Sequence, residues 1–216
     1  MFFFLPRKGE ALLMANSITI LNISLEDETM SNQHLLSEKL SQKTVYNGLI
    51  IDVAHMQVRL PNGEEMTLEA VLHKGAAAVV PVDAEDNIYL VRQHRAVAGL
   101  LTLEIPAGKL DYVGEPHSAC AERELQEETG LKCEKLEHLT DLVTTPAFCT
   151  EKIGIFLATG LSQHENHLDD DEFIDVVKMP LTEAVRLVMQ GEIPDSKTIA
   201  GVLMAWQKLH GPDTSK

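Results

Sequence analysis

The residues Ala76 to Val82 read AAAVVPV, with no polar side chain among them. An apolar run of this length has no hydrophilic face to turn to water, so it is the mark of a strand buried on both faces. The rest of the chain has to supply a layer for each side. Around it the pattern alternates between strands and helices. Val45 to Leu60 is rich in branched residues and is expected to be one strand kinked at Asn47–Gly48. Pro61-Asn62-Gly63 is a turn signal, and Thr67 to His73 pairs back across it. Asp83 to Asn87 turns, and Ile88–Gln93 and Leu100–Ile105 are the next strands. Cys133–Val143, Ile153–Leu157 and Phe173–Lys178 are strands too, and Leu181–Met189 and Ser196–His210 are helices. This implies the α/β class, a mixed β-sheet flanked by helices in an α/β/α sandwich.

The densest chemistry lies between Gly108 and Leu131. Pro116 suits the first turn of a helix, where its missing N–H costs nothing. Glu115 is placed to cap the free amides, and Gly130 takes the left-handed conformation that ends the helix. A helix over 117–129 follows. On it Glu124, Glu127 and Glu128 fall on one face, at spacings of three and four residues. Like charges at that spacing are mutually destabilising, and they stand near the negative end of the helix dipole. Arg123 points about 100° away from Glu124 and so is not expected to neutralise the whole face. A divalent cation held by carboxylate oxygens, Mg²⁺ or Mn²⁺ by preference, would compensate both penalties. A solvated acidic face in an acidic protein is the alternative.

The formal net charge of −15 argues against a nucleic-acid backbone or an anionic membrane as partner. It leaves an anionic small molecule open, because a bound cation inverts the local field. Cys120, Cys133 and Cys149 lack metal-ligand spacing and cannot all pair, which fits reduced thiols in the cytoplasm. The apolar run Phe2–Leu5 is too short for a signal-peptide core, and no stretch is long enough for a membrane span. Residues 1–30 are read as an extension, with Met14 and Met30 as alternative starts.

The segment from Gly108 resembles the Nudix box. That pattern is a Gly, five residues, a Glu, seven residues, and then Arg-Glu-aliphatic-any-Glu-Glu-any-Gly-aliphatic. Here Glu115 is followed by seven residues and then by Arg123, Glu124, Leu125, Gln126, Glu127, Glu128, Thr129, Gly130 and Leu131. One departure is present: six residues, not five, separate Gly108 from Glu115. The extra residue falls in a loop, where an insertion is tolerated, and leaves the helix register intact.

Four further features are similar to the ADP-ribose pyrophosphatase branch of that family. Pro146 lies sixteen residues after Gly130, an offset at which the branch carries a proline. The others are Phe148–Glu151 running into Ile155–Leu161, Val91–Arg95 with Leu103–Lys109, and His167–Phe173 with the closing helices. The resemblance implies the Nudix α/β/α sandwich over residues 75–216, with a small dimerising β region over 31–74. It implies Mg²⁺-dependent hydrolysis of ADP-ribose to AMP and ribose 5-phosphate by a homodimer. Glu124 and Glu128 would be metal ligands, with Glu127 adjacent and the Ala107 carbonyl alongside. Glu115 and Arg123 would tie loop to helix, with Gly108 and Gly130 structural. Glu172 would be the general base, with Asp171 and Asp170 next in line. Arg95 is a candidate diphosphate contact, since its fork matches phosphate oxygens. Glu104 is a candidate contact to a ribose hydroxyl or a metal. Tyr46 and Tyr112 are candidate adenine-stacking aromatics. A different nucleoside diphosphate sugar, NADH, or a non-catalytic sensor role are the rival readings.

Overall fold

A computed structural model describes residues 32–165 and 173–212. Among the described residues a short 3-10 turn (Gln33–Leu35) precedes three strands, β1 (Glu38–Asn47), β2 (Asp52–Arg59) and β3 (Glu65–Leu72), which form an antiparallel sheet of their own. The single kinked strand expected over Val45–Leu60 is therefore two strands. Gly48 N–H donates to the Ile51 carbonyl at 3.0 Å and reverses the chain, so that Asn47 pairs with Asp52. The branched composition was right for strand; the turn signal was a reversal rather than a kink.

Next come β4 (Ala76–Pro81), β5 (Asn87–Arg95), β6 (Leu100–Glu104) and β7 (Ala107–Lys109), followed by helix α1 (His117–Thr129). The strands β8 (Leu131–Val143), β9 (Lys152–Gln163) and β10 (Ile174–Pro180) precede α2 (Leu181–Met189) and α3 (Ser196–His210). A four-stranded mixed sheet runs in the order β7-β4-β9-β8, with β4 and β9 parallel and the outer pairs antiparallel. A second antiparallel sheet runs β10-β5-β6. Among the described residues, no helix is long and apolar enough to cross a membrane.

Period-two alternation along β4 and β9 explains the layering. Ala76, Ala78 and Val80, with Ile153, Ile155 and Leu157, face the core shared with Leu181, Ala184, Val202 and Ala205 of α2 and α3. Ala77 and Val79, with Phe156 and Ala158, face Cys120, Ala121 and Leu125 of α1. Every residue of β4 is buried, as its composition requires. Full burial of a side chain such as Leu125, Ile155 or Leu157 contributes about 1.5–3 kcal/mol over leaving it in water. Cys120 is part of this packing, and burial pushes its thiol up to about 12.

Asp83 clamps the tight turn from β4 to β5. Its carboxylate accepts from the Asn87 amide at 2.8 Å, from Tyr89 Oη at 3.2 Å and from Lys178 Nζ of β10 at 2.6 Å. Burial favours the neutral acid, but the Lys178 hydrogen bond and the Asn87 contacts hold the carboxyl at about 2. The folded value lies below the ordinary one, so the stabilisation is complete above about pH 4 and is lost as pH falls through about 2. Asp83→Asn lowers stability in urea at neutral pH, and the gap between wild type and variant narrows as the same titration is run from about pH 4 downward.

Candidate active site

Helix α1 docks on the sheet through a narrow apolar stripe, and its acidic neighbours are carried inward with it. Glu124 and Glu128 are only 6% and 3% exposed. Glu128 Oε2 accepts the Ala107 N–H at 3.0 Å, joining the helix to β7. Glu124 lies against Gly108, where a Cβ would stand 1.9 Å from its Oε1. Only a glycine leaves room for a carboxylate at that point. Gly130 closes the helix at φ 67°, as its position in the sequence predicts.

Arg123 reaches further than its helical direction suggests. Its Nη1 donates to Glu124 Oε1 at 2.6 Å and to Glu127 Oε2 at 3.0 Å, and its Nη2 donates to the Lys109 carbonyl at 3.0 Å. A long side chain curls back over one turn where an ideal projection does not. Burial opposes the charge, yet Glu124 and Glu127 raise the guanidinium pKa above its ordinary value. The expected cap is different too. Pro116 takes the N-cap position, and Glu115 Oε2 instead accepts from the Asp111 amide at 2.7 Å. Glu115 Oε1 stands 3.9 Å from Arg123 Nε, with Asp111 nearer at 3.5 Å. The additional residue of this loop is thus taken up in an exposed bend, with Tyr112 and Val113 outward, that Glu115 closes from beneath.

Two clefts share Gly108 and Lys109. One of about 330 Å³ is lined by Lys74, Asp111, Arg123, Glu124 and Glu127. The other, of about 460 Å³, is lined by Arg95, Ala107, Phe148, Glu151, Asp195 and Lys197 among others. Pro146 belongs to the β8–β9 connection that supplies Phe148, and that connection is anchored to β3. Val71 N–H donates to the Phe148 carbonyl at 2.7 Å, and Thr150 N–H donates to the Val71 carbonyl at 3.0 Å. Tyr46 and Tyr112 line neither cleft; the aromatic that does is Phe148. Its nearness to Pro146 was the available signal.

Arg95 and Glu104 meet as a fork. Arg95 Nε and Nη2 donate to the two Glu104 oxygens at 2.9 and 2.7 Å. Thr102 Oγ1 donates to Oε1 at 2.6 Å, and Lys197 Nζ donates to Oε2. Burial favours a neutral Glu104, but Arg95 and Lys197 keep its carboxyl at about 2. Glu104 is 1% exposed and faces these partners, not the cleft, so it meets the site through Arg95. Lys197 had no local signature in the sequence. Glu172, Asp171 and Asp170 lie outside the described residues.

The donors around Gly108 are carboxylate and backbone oxygens, the set that hard divalent cations prefer. Among the described residues no three acidic, His or Cys side chains stand together as a ready metal cage, and Arg123 bonds to both Glu124 and Glu127. The donor types and the space above Gly108 fit such a cation.

The NUDIX domain model matches residues 72–202, which take in the second cleft and, apart from Leu49 and Ile50, the lining of the first. The chain belongs to the Nudix family. It is 40% identical over 171 residues to a methanol dehydrogenase activator of Bacillus methanolicus, covering 78% of this chain and 92% of that one. It is 42% identical over 168 residues to an ADP-ribose pyrophosphatase of Mycobacterium tuberculosis, covering 77% and 81%. A solved ADP compounds hydrolase superposes with a TM-score of 0.70 at 23% identity, over 81% of this chain and 96% of the other, which shows the shared fold.

Gly108→Ala drives a methyl group into the Glu124 carboxylate. Mn²⁺ binding followed by paramagnetic resonance is expected to weaken by about tenfold or more, with the thermal unfolding profile of a folded protein retained.

Proposed function

We propose that this Nudix protein hydrolyses the diphosphate of ADP-ribose to AMP and ribose 5-phosphate with the help of Mg²⁺, Mn²⁺ being a substitute. The observation that carries the reading is the pair of buried carboxylates, Glu124 and Glu128, held beside Gly108 in a wall whose next cleft presents the Arg95 guanidinium. The similarity to an ADP-ribose pyrophosphatase over most of both chains supports this substrate over other nucleoside diphosphate sugars.

Glu124 and Glu128 would hold the cation, with Glu127 and the Ala107 carbonyl beside them. When bound, it neutralises the diphosphate and lowers the pKa of an attacking water. Arg95 lines the cleft with its fork anchored on Glu104 through Nε and Nη2, and in this reading its guanidinium receives the diphosphate oxygens. Glu104 serves as the rigid backing of that guanidinium. Glu172 takes the water proton, with Asp171 or Asp170 in its place if needed, since the ligand carboxylates are already engaged. The water oxygen bonds to one phosphorus as the bridging P–O bond breaks, and the other phosphate leaves with the bridging oxygen.

The working unit in this reading is a homodimer built through the N-terminal sheet. Val45, Tyr46 and Leu68 are exposed on its strands, apolar surface that a second copy of the chain would cover. The free cysteines fit the cytoplasm.

The test is turnover with Mg²⁺ on ADP-ribose, ADP-glucose, GDP-mannose, NADH and ATP. ADP-ribose is expected to lead, and equal or better turnover of another diphosphate would discard the substrate assignment. Glu128→Gln is expected to cut kcat by at least about a hundredfold in folded protein. Glu172→Gln is expected to cut it by roughly 10²–10⁴-fold while sparing Mn²⁺ affinity.

A further inference from the structure

Lys197 stands where elementary rules disfavour it. It is the second residue of α3, one position past Ser196, where the helix dipole repels a cation. It is also buried, at 8% exposure, and a buried ammonium is costly unless it is paired. Both penalties are met by two carboxylates: Asp195 Oδ2 at 3.1 Å and Glu104 Oε2.

Attachment of the helix does not require this lysine. Asp195 already caps α3 by accepting from Thr198 N–H at 2.9 Å and from Thr198 Oγ1 at 2.6 Å. Thr198 Oγ1 in turn accepts the Ile105 N–H at 2.9 Å, which ties α3 to the end of β6. What Lys197 adds is charge and a fixed point on Glu104. Each Glu104 oxygen then has two donors: Arg95 Nε and Thr102 on one, Arg95 Nη2 and Lys197 on the other. A carboxylate has about four lone-pair sites, so it has no freedom to swing.

The charges show the consequence. Arg95 and Lys197 together balance Glu104 and Asp195. Without the lysine, this wall of the cleft carries one net negative charge, facing a site built for an anion. The Glu104 carboxylate would also lose one of its four donors, and with it part of the restraint on the Arg95 fork.

We propose that Lys197 is a positioning residue for substrate: it locks Glu104, and through Glu104 it aims the Arg95 guanidinium at the diphosphate and keeps the cleft wall neutral. The inference rests on the diphosphate reading of the site given above. It assigns Lys197 no contact with the reacting atoms.

The experiment is steady-state kinetics with ADP-ribose and Mg²⁺ on Lys197→Met and Lys197→Arg, each made in wild type and in Arg95→Ala, with thermal unfolding of every variant. Lys197→Met is expected to raise KM by about tenfold or more, with kcat changed by less than about threefold. Lys197→Arg keeps the charge and is expected to restore KM to within about threefold of wild type. In the Arg95→Ala background, Lys197→Met should raise KM by about threefold or less, since the group it positions is gone and only the charge of the wall still changes. An unchanged KM for Lys197→Met overturns the inference. So does the same factor in both backgrounds, which would mean direct contact or a general loss of fold. If Lys197→Met does not fold, Lys197→Arg decides: a tenfold rise in its KM with unfolding unchanged sinks the charge argument. A wild type that turns over no ADP-ribose removes the proposed function itself, and this inference with it. A wild type that does, beside an unaffected Lys197→Met, removes the inference alone.

Discussion

Burial of like-charged carboxylates is the constraint on which this molecule depends. Helix α1 has a narrow apolar stripe, Cys120, Ala121 and Leu125, and docking it on β4 and β9 takes Glu124 and Glu128 out of water as well. The helix cannot be turned to expose them without exposing Leu125. Two buried acids on one helix face need positive partners close by. The local architecture supplies them: the Ala107 amide for Glu128, and the curled Arg123 for Glu124 and Glu127. Gly108 makes the approach sterically possible.

A second buried carboxylate meets the same problem differently. Glu104 is surrounded by Arg95, Thr102 and Lys197, which are side chains of its own protein and hold it in one orientation. Glu124 shares its guanidinium with Glu127 and borders a cleft. The same residue type is rigid backing in one place and a candidate ligand in the other, and the surroundings make the difference. The cleft that Glu124 lines and the cleft that Arg95 lines share Gly108 and Lys109, so one short strand borders both the acidic wall and the guanidinium wall.

The N-terminal sheet is part of the same arrangement. The end of β3 bonds to the β8–β9 connection through Val71, Phe148 and Thr150, and His73 N–H donates to Thr150 Oγ1 at 2.9 Å. That connection carries Phe148 into the cleft. The sheet therefore braces one wall of the site from outside the layered core, while its β1–β2 turn brings Leu49 and Ile50 to the edge of the acidic cleft.

The sequence by itself determined whatever depends on periodicity and local backbone preference. The run Ala76–Val82 dictated a strand covered on both sides, and Pro116 with Gly130 dictated the limits of α1. Both hold because period and φ are properties of neighbouring residues. Tertiary structure decided what depends on residues far apart in the chain. The reversal at Gly48–Ile51 needed β2 to find β1. Arg123 met Glu124 because docking against β7 folded its side chain back over the turn. Lys197 and Glu104, ninety-three positions apart, became partners only when α3 packed over the end of β6. No local pattern marks such a pair, since its energy exists only once the sheet and the helix have both formed.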